Sequence, residues 1–260
     1  MSDLMPLLFV GHGSPMNIIQ QNDFTESLRK AGTALPKPRL ILCVSAHWVT
    51  DGTFVTGAAK PKQIYDFYGF PDDLYDVIYD PAGSPKDAEY ITRLGKNIPV
   101  SPDDHWGIDH GTWAVLHQLY PGHDIPVIQL SVDGNKDEAE HFQLASFLRP
   151  LRSEGVLIIG SGNIVHNLRL ISWHQFGEEP FPWARKFDEQ VTDALARKDD
   201  DLLINFDSRD RDMGFHAVPT NEHYLPLLSI AALRGKVENV EYIHEGFQHR
   251  SVSMRSFIVR

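Results

Sequence analysis

Three times in this chain a short apolar run breaks off at small residues and delivers a histidine. The first reads Pro6-Leu7-Leu8-Phe9-Val10-Gly11-His12-Gly13-Ser14-Pro15, and the second Leu40-Ile41-Leu42-Cys43-Val44-Ser45-Ala46-His47-Trp48. The third reads Val156-Leu157-Ile158-Ile159-Gly160-Ser161-Gly162-Asn163-Ile164-Val165-His166. Runs this short, bounded by turn residues, read as buried strands. Segments with helical character separate them, and strands alternating with helices argue for an α/β domain with a mostly parallel central sheet flanked by helices. In such a sheet, ligands bind beyond the carboxyl ends of the strands. Three strands each releasing an imidazole at that edge outline a metal site.

The other elements follow from local signals. A helix is expected over residues 23–30, closing near Gly32, with Asp23 and Glu26 at capping-box spacing. The second strand is expected over 39–46 and a further one over 53–56. Residues 84–96 read as a helix with Ser84 as N-cap and Pro85 at its first position. A helix over 112–120 places His110 just before its N-terminus, where the positive dipole end disfavours imidazolium. A strand over 126–132 precedes a helix over 137–152, interrupted late by Pro150. Helices over 182–197 and 221–235 precede strands over 240–244 and 252–259. Residues 61–75 form a loop dense in rings, with Tyr65, Phe67, Tyr68 and Phe70 either lining a planar ligand or pinning the loop to the core. Residues 199–220, polar and rich in Asp and Arg, read as a lid or a surface excursion.

Composition narrows the function classes. The 260 residues contain no Ser/Gly/Pro-rich linker and no fixed-period repeat, which favours one domain over 1–260. A net charge of -11, with no basic run, argues against nucleic acid and anionic lipid as partners. Cys43 is the only cysteine, so an intrachain disulfide and a Cys-rich zinc site are excluded. The N-terminus lacks the basic and apolar regions of a signal peptide. No stretch approaches the roughly 18 apolar residues of a transmembrane helix. A cytoplasmic protein is the expectation.

Most of the thirteen histidines need no special role. His117 and His141 fall inside helices, and His123, His174 and His249 lie in polar surroundings, so these read as packing or surface residues. Several catalytic motifs fail. His244-Glu245 begins H-E-x-x-H, but position 248 is Gln; Gly160-Ser161-Gly162 lacks the G-x-S-x-G spacing of a hydrolase elbow. What survives is His12, His47, His110, His166 and His223. The first two follow strands directly and read as metal ligands. His166, six residues past Gly160, reads as a ligand or an acid/base. Imidazole suits zinc, copper, iron and nickel, so ligand type leaves the metal open.

With these residues in hand, the chain resembles the class III extradiol ring-cleaving dioxygenases, in their 4,5-DOPA dioxygenase branch. The resemblance is carried by Gly11-His12-Gly13-Ser14-Pro15, Ser45-Ala46-His47-Trp48, Tyr65-Asp66-Phe67-Tyr68-Gly69-Phe70-Pro71 and Trp106-Gly107-Ile108-Asp109-His110-Gly111. Ser161-Gly162-Asn163-Ile164-Val165-His166-Asn167 and Glu222-His223-Tyr224-Leu225-Pro226-Leu227 complete it, so it runs from residue 11 to 227. It implies one catalytic α/β domain with a divalent metal ion held by His12, His47 and His223, and His166 as a further candidate ligand. It implies His110 and His166 as acid/base or oxygen-orienting groups. The ring-rich loop, with Tyr65, Phe67, Tyr68 and Phe70, would stack on the substrate. The implied reaction inserts both atoms of O2 into a catechol, with L-DOPA cleaved at its 4,5 bond to a seco-DOPA semialdehyde. Iron(II) is expected for O2 chemistry, while three histidines and an open position equally suit zinc(II). The competing reading is a zinc hydrolase using the same histidines on a water of lowered pKa. The protocatechuate-cleaving relatives use a carboxylate as third ligand, and this chain offers His223 there, beside Glu222. The partners implied are a small catechol and O2, with a homo-oligomer left open.

Overall fold

The computed structural model describes residues 4–95, 98–172 and 179–260, so His174 lies outside the described residues. In chain order the elements are β1 (Leu7–Gly11), α1 (Asp23–Ala34), β2 (Leu40–Thr50), β3 (Thr53–Thr56), α2 (Pro85–Leu94) and β4 (Val100–Asp103). Then come α3 (His110–Leu119), β5 (Val127–Asp133), α4 (Glu138–Ala145), β6 (Val156–Gly162), α5 (Pro182–Arg197) and α6 (Asp200–Ile204). The chain closes with α7 (Arg211–Ala217), α8 (Leu225–Leu233), β7 (Val240–His244), β8 (Phe247–Gln248), β9 (Val252–Ser253) and β10 (Ser256–Val259).

One sheet runs through the molecule in the order β4-β3-β5-β2-β6-β1-β10-β7. Its centre, β5-β2-β6-β1, is parallel, and antiparallel pairing begins at β3 on one side and β10 on the other. Parallel strands need helical crossovers, which cover both faces and bury every residue of the strand. That is why the three runs are apolar without alternation. Leu7, Phe9, Leu40, Leu42, Val156 and Ile158 join one core layer, while Leu8, Val10, Ile41, Cys43, Leu157 and Ile159 join the other. The second layer is closed by Phe24 and Leu28 of α1 and by Trp113 and Leu116 of α3. The first layer is closed largely by α5 and α8. All nine residues of α8 are buried, as expected of a helix that is apolar on every side.

Several boundaries differ from the sequence expectation. α1 continues through Gly32 because the glycine is where it crosses α3; a Cβ there would lie 2.0 Å from the Leu119 carbonyl oxygen. Its capping box is made by Asn22 and Thr25 rather than by Asp23 and Glu26. The helix expected over 137–152 ends as α4 at Ala145, and Ser146–Glu154, containing Pro150, continues as a 3-10 helix. β2 does not stop at residue 46 but runs to Thr50. The helix expected from 221 starts only at Leu225, residues 222–224 being a turn. The last strand is split into β9 and β10 around Met254 and Arg255. Residues 199–220 hold α6 and α7, whose Leu202, Leu203, Met213 and Ala217 enter the core layer. They are part of the packed body and not a lid. Among the described residues, no helix is long and apolar enough to cross a membrane.

Candidate metal centre

The parallel register sets the site. Gly11 pairs with Gly162 and Ser45 with Ser161, so β1, β2 and β6 reach the same edge at the same level. His12 follows Gly11 at once, its N–H donating to the Gly162 carbonyl at 3.1 Å. His47 does not leave a finished strand; it sits in an irregular part of β2, where the pairing with β5 jumps from Val44↔Leu130 to Val49↔Val132. Extra residues in a strand re-aim side chains, and here they turn the imidazole toward His12. His223 arrives in the turn before α8. Its carbonyl accepts the Asn163 N–H at 2.8 Å and packs directly on Gly162, where a Cβ would come within 2.2 Å. The Gly-Ser-Gly at the end of β6 is therefore a docking surface for the His223 turn.

His110 is the first residue of α3 rather than the one before it. The N-cap is Asp109, whose carboxylate accepts from Thr112 N–H at 3.1 Å, Ser45 Oγ at 2.8 Å and Gln129 Nε2 at 2.7 Å. His166 is fixed through its backbone N–H, which donates to the Ala217 carbonyl at 2.9 Å.

The five imidazoles form one cluster. Ring centroids lie 4.9 Å apart for His12–His47, 5.4 Å for His12–His223, 5.2 Å for His47–His223 and 4.1 Å for His47–His110. His166 stacks on His223 at 3.5 Å with planes 10° apart. In three of the rings, Nδ1 already has an oxygen partner. His12 Nδ1 is 3.0 Å from Ser161 Oγ, which itself donates to the Gly111 carbonyl at 2.5 Å. His47 Nδ1 is 2.6 Å from Asp66 Oδ2, and His223 Nδ1 is 3.0 Å from Glu222 Oε1. Carboxylates only accept, and the Ser161 proton is already committed, so each of these Nδ1 atoms carries the hydrogen. In the neutral ring that leaves the lone pair on Nε2.

The donor set fits a metal ion. His47 Nε2 and His223 Nε2 face each other at 3.3 Å. At that distance the two nitrogens either share a proton or bind one ion, since two nitrogens on one tetrahedral ion, with bonds of about 2.0–2.1 Å, stand about 3.3 Å apart. Ligand nitrogens of His12, His47 and His110 lie within 4.8 Å of one another, and so do the ligand atoms of His166, Glu222 and His223. Imidazoles whose second nitrogen is held by an oxygen are the usual form of metal-ligating histidine.

Electrostatics follow the same division. Burial, then the neighbouring imidazoles, holds His12 and His223 well below the ordinary imidazole value. Burial first, then His47, lowers His110. Burial likewise brings His166 down to about 4. His47 is the exception. Burial pushes it down, but the Asp66 hydrogen bond and the charges of Asp109, Asp66 and Glu222 more than offset this, and its pKa rises. Burial pushes Asp66 up, yet hydrogen bonds and charge from His110 and His47 hold it well below the usual carboxylate range.

Of the four rings chosen from the loop, Phe67 reaches the cluster, edge-on to His110 with centroids 5.3 Å apart. Phe70 packs on Phe67 at 5.5 Å, and Tyr65 donates its hydroxyl to the Val77 carbonyl at 2.7 Å. Tyr68 stands 92% exposed. The loop is thus pinned by its own rings and at the same time presents one of them to the site. Asp66, Asp109, Ser161 and Gln129 escaped sequence reasoning as site residues. Only Asp109 had a signal, its place three residues before Thr112 at a helix start. His141 and His249 are buried packing residues, the former with Nε2 2.9 Å from the Asp133 carbonyl.

Comparison with known proteins agrees with this geometry. Residues 5–259 match the family described as the catalytic LigB subunit of aromatic ring-opening dioxygenase. An Escherichia coli K12 protein named 4,5-DOPA dioxygenase extradiol is 44% identical, over 98% of this chain and 94% of its own length. A Beta vulgaris protein of the same name is 36% identical, over 96% and 94%. A crystal structure of an uncharacterized Escherichia coli K12 protein superposes with a TM-score of 0.85 at 40% identity, over 98% of this chain and 100% of that one. The chain belongs to the LigB family of aromatic ring-opening dioxygenases and is an extradiol-type oxidoreductase acting with O2 on an aromatic substrate.

Proposed function

We propose that this enzyme is a metal-dependent catechol dioxygenase that cleaves L-DOPA at the 4,5 bond to a seco-DOPA semialdehyde, with Nε2 of His12, His47 and His223 holding one divalent ion. The observation that carries the ligand set is the common posture of the three rings, each with Nδ1 held by an oxygen, together with the 3.3 Å approach of His47 Nε2 to His223 Nε2. The names of the Escherichia coli and Beta vulgaris relatives support the choice of L-DOPA. Iron(II) is the proposed working ion, because the chemistry required there is side-by-side binding of catecholate and O2 with electron transfer between them, and zinc has no accessible redox change.

His166 is assigned to proton transfer rather than to ligation. Imidazole ligates in its ring plane, and a ring lying flat on His223 at 3.5 Å does not direct a lone pair in-plane to the ion that His223 holds. The His166 ring, stacked on His223, is placed to accept the hydroxyl proton that a catechol gives up on binding. His110, its ring centroid 4.1 Å from that of His47 and 5.8 Å from that of His12, donates or accepts a hydrogen bond at the reacting oxygen. Phe67, edge-on to His110, supplies a flat apolar wall against which a catechol ring packs. Among the described residues, nothing in the site favours hydrolysis over ring cleavage.

The test is O2 uptake with L-DOPA and simpler catechols after metal removal and anaerobic reloading with iron(II) or zinc(II). Uptake with a yellow ring-cleavage product, with iron alone, is the expected result. No uptake with any catechol, while the ion still binds, would overturn the proposal.

A further inference from the structure

Asp66 lies on exposed backbone in the ring-rich loop, yet its side chain is only 20% exposed and its two oxygens serve two different histidines, the His47 ring and the His110 backbone. Oδ2 accepts from His47 Nδ1 at 2.6 Å. Oδ1 accepts the backbone N–H of His110 at 2.8 Å and lies 3.0 Å from His110 Nδ1, although that ring N–H is not aligned on it and finds no other partner among the described residues. The two rings it touches are 4.1 Å apart. Ser161 and Glu222 each hold one imidazole; Asp66 is the anchor that reaches two.

We propose that Asp66 is a positioning residue that fixes the Nδ1–H form of His47, so that its Nε2 lone pair points into the metal centre, and holds His110 against that ligand with the same carboxylate. This rests on the reading of His47 as a ligand and of His110 as a group acting on substrate. An ionised carboxylate accepts at both oxygens, so the His47 ring N–H and the His110 backbone N–H are met by an acceptor at once. An amide cannot do this. In Asp66→Asn the oxygen has to stay on the His110 N–H, since two N–H groups cannot face each other. The amide NH2 then meets His47 Nδ1 and forces that ring to carry its proton on Nε2, where a lone pair is needed. The change keeps shape and loop packing but inverts one hydrogen bond.

The experiment uses the full chain freed of metal, titrated calorimetrically with zinc(II), and imidazole tautomers read from long-range proton–nitrogen correlation spectra of the zinc-loaded protein. The expected result for Asp66→Asn is zinc affinity at least ~10-fold weaker, with His47 losing its Nδ1–H pattern and the metal-free melting temperature nearly unchanged. Asp66→Glu, which keeps the carboxylate, is expected to recover part of the affinity. Wild-type affinity with His47 still Nδ1–H in Asp66→Asn overturns the proposal. So does an Nε2–H pattern for His47 in the wild-type protein, a measurement that needs no folded variant. His47→Ala separates the two layers. If it binds zinc as tightly as wild type, the ligand assignment falls and the Asp66 role with it. If it loses affinity while Asp66→Asn does not, the Asp66 role alone falls.

Discussion

Replacing Gly162 by alanine tests whether the end of β6 is what places His223. The added Cβ would stand 2.2 Å from the His223 carbonyl oxygen, 3.1 Å from its carbonyl carbon and 3.2 Å from Pro226 Cγ. A carbon–oxygen contact settles near 3.3 Å at the closest, so the turn has to retreat by about 1 Å. The Asn163 N–H bond to that carbonyl, 2.8 Å in the native chain, then stretches out of hydrogen-bonding range. Overpacking costs about 1–3 kcal/mol and the lost bond about 1 kcal/mol, which in a chain of this size lowers the melting temperature by roughly 5–15 °C. The larger consequence falls on the imidazole. A shift of about 1 Å is half of a metal–nitrogen bond of about 2.0–2.1 Å, so zinc affinity should fall by at least ~10-fold. Gly160→Ala is the control, because its Cβ would meet the Pro226 carbonyl oxygen at 2.5 Å and Ile230 Cγ1 at 2.9 Å, inside α8 and away from His223. It should destabilise comparably and weaken zinc much less. Calorimetric titration and thermal melts of both variants decide the matter. Equal losses of affinity, or a Gly162→Ala protein that binds like wild type, would refute the reasoning.

Four further outcomes are expected. Arg152, 2% exposed, is paired with Glu238 and also donates to the Met5 and Leu233 carbonyls, so Arg152→Ala should cost about 3–5 kcal/mol in denaturant unfolding. Burial pushes the Glu238 carboxyl up, but Arg152 and the Gly235 N–H more than offset it and its folded pKa is lowered from 4.5. Its stabilisation is therefore fully present above pH 4.5 and lost as pH falls through the lower folded value, so Glu238→Gln should flatten the acid limb of a stability–pH curve. Phe67→Ala should raise KM for catechols more than it lowers kcat, read by steady-state O2 uptake. Chelation should lower the melting temperature, since an ion at 100 times its Kd contributes about 2.7 kcal/mol to the folded state.

What the sequence disclosed, and what it hid, divides along a physical line. The apolar runs were legible because a doubly covered parallel strand is buried on both faces, so β1, β2 and β6 carry their burial in composition alone. His12 was legible because it follows β1 without interruption. His47 seemed equally simple, but it lies inside a strand whose pairing slips between Val44 and Val49, a feature that depends on β5 and leaves no trace in β2. The boundary errors have the same origin. Gly32 reads locally as a helix stop, and only the close passage of α3 explains why the helix goes on through it.

The anchors behind the imidazoles were hidden for a deeper reason. A strand end or a helix start announces its histidine through neighbours in the chain, whereas a hydrogen bond to Nδ1 is settled by whatever the fold brings near. Ser161 reaches His12 across 149 residues, and Asp66 reaches His47 across 19 and the His110 backbone across 44. Glu222 alone adjoins its imidazole. Yet these oxygens decide which nitrogen of each ring is free, and so whether five clustered histidines form a metal site or only a crowded one. The same topology that brings β1, β2 and β6 to one edge also puts Ser161 level with Gly111 and Ser45, since Ser161 pairs with Ser45 in the sheet and donates to Gly111. His12 and its anchor Ser161 thus come from adjacent strands of one sheet. A substitution that slipped the β1–β6 register by one residue would turn Ser161 to the other face and lose the His12 tautomer while leaving His12 itself at the strand end.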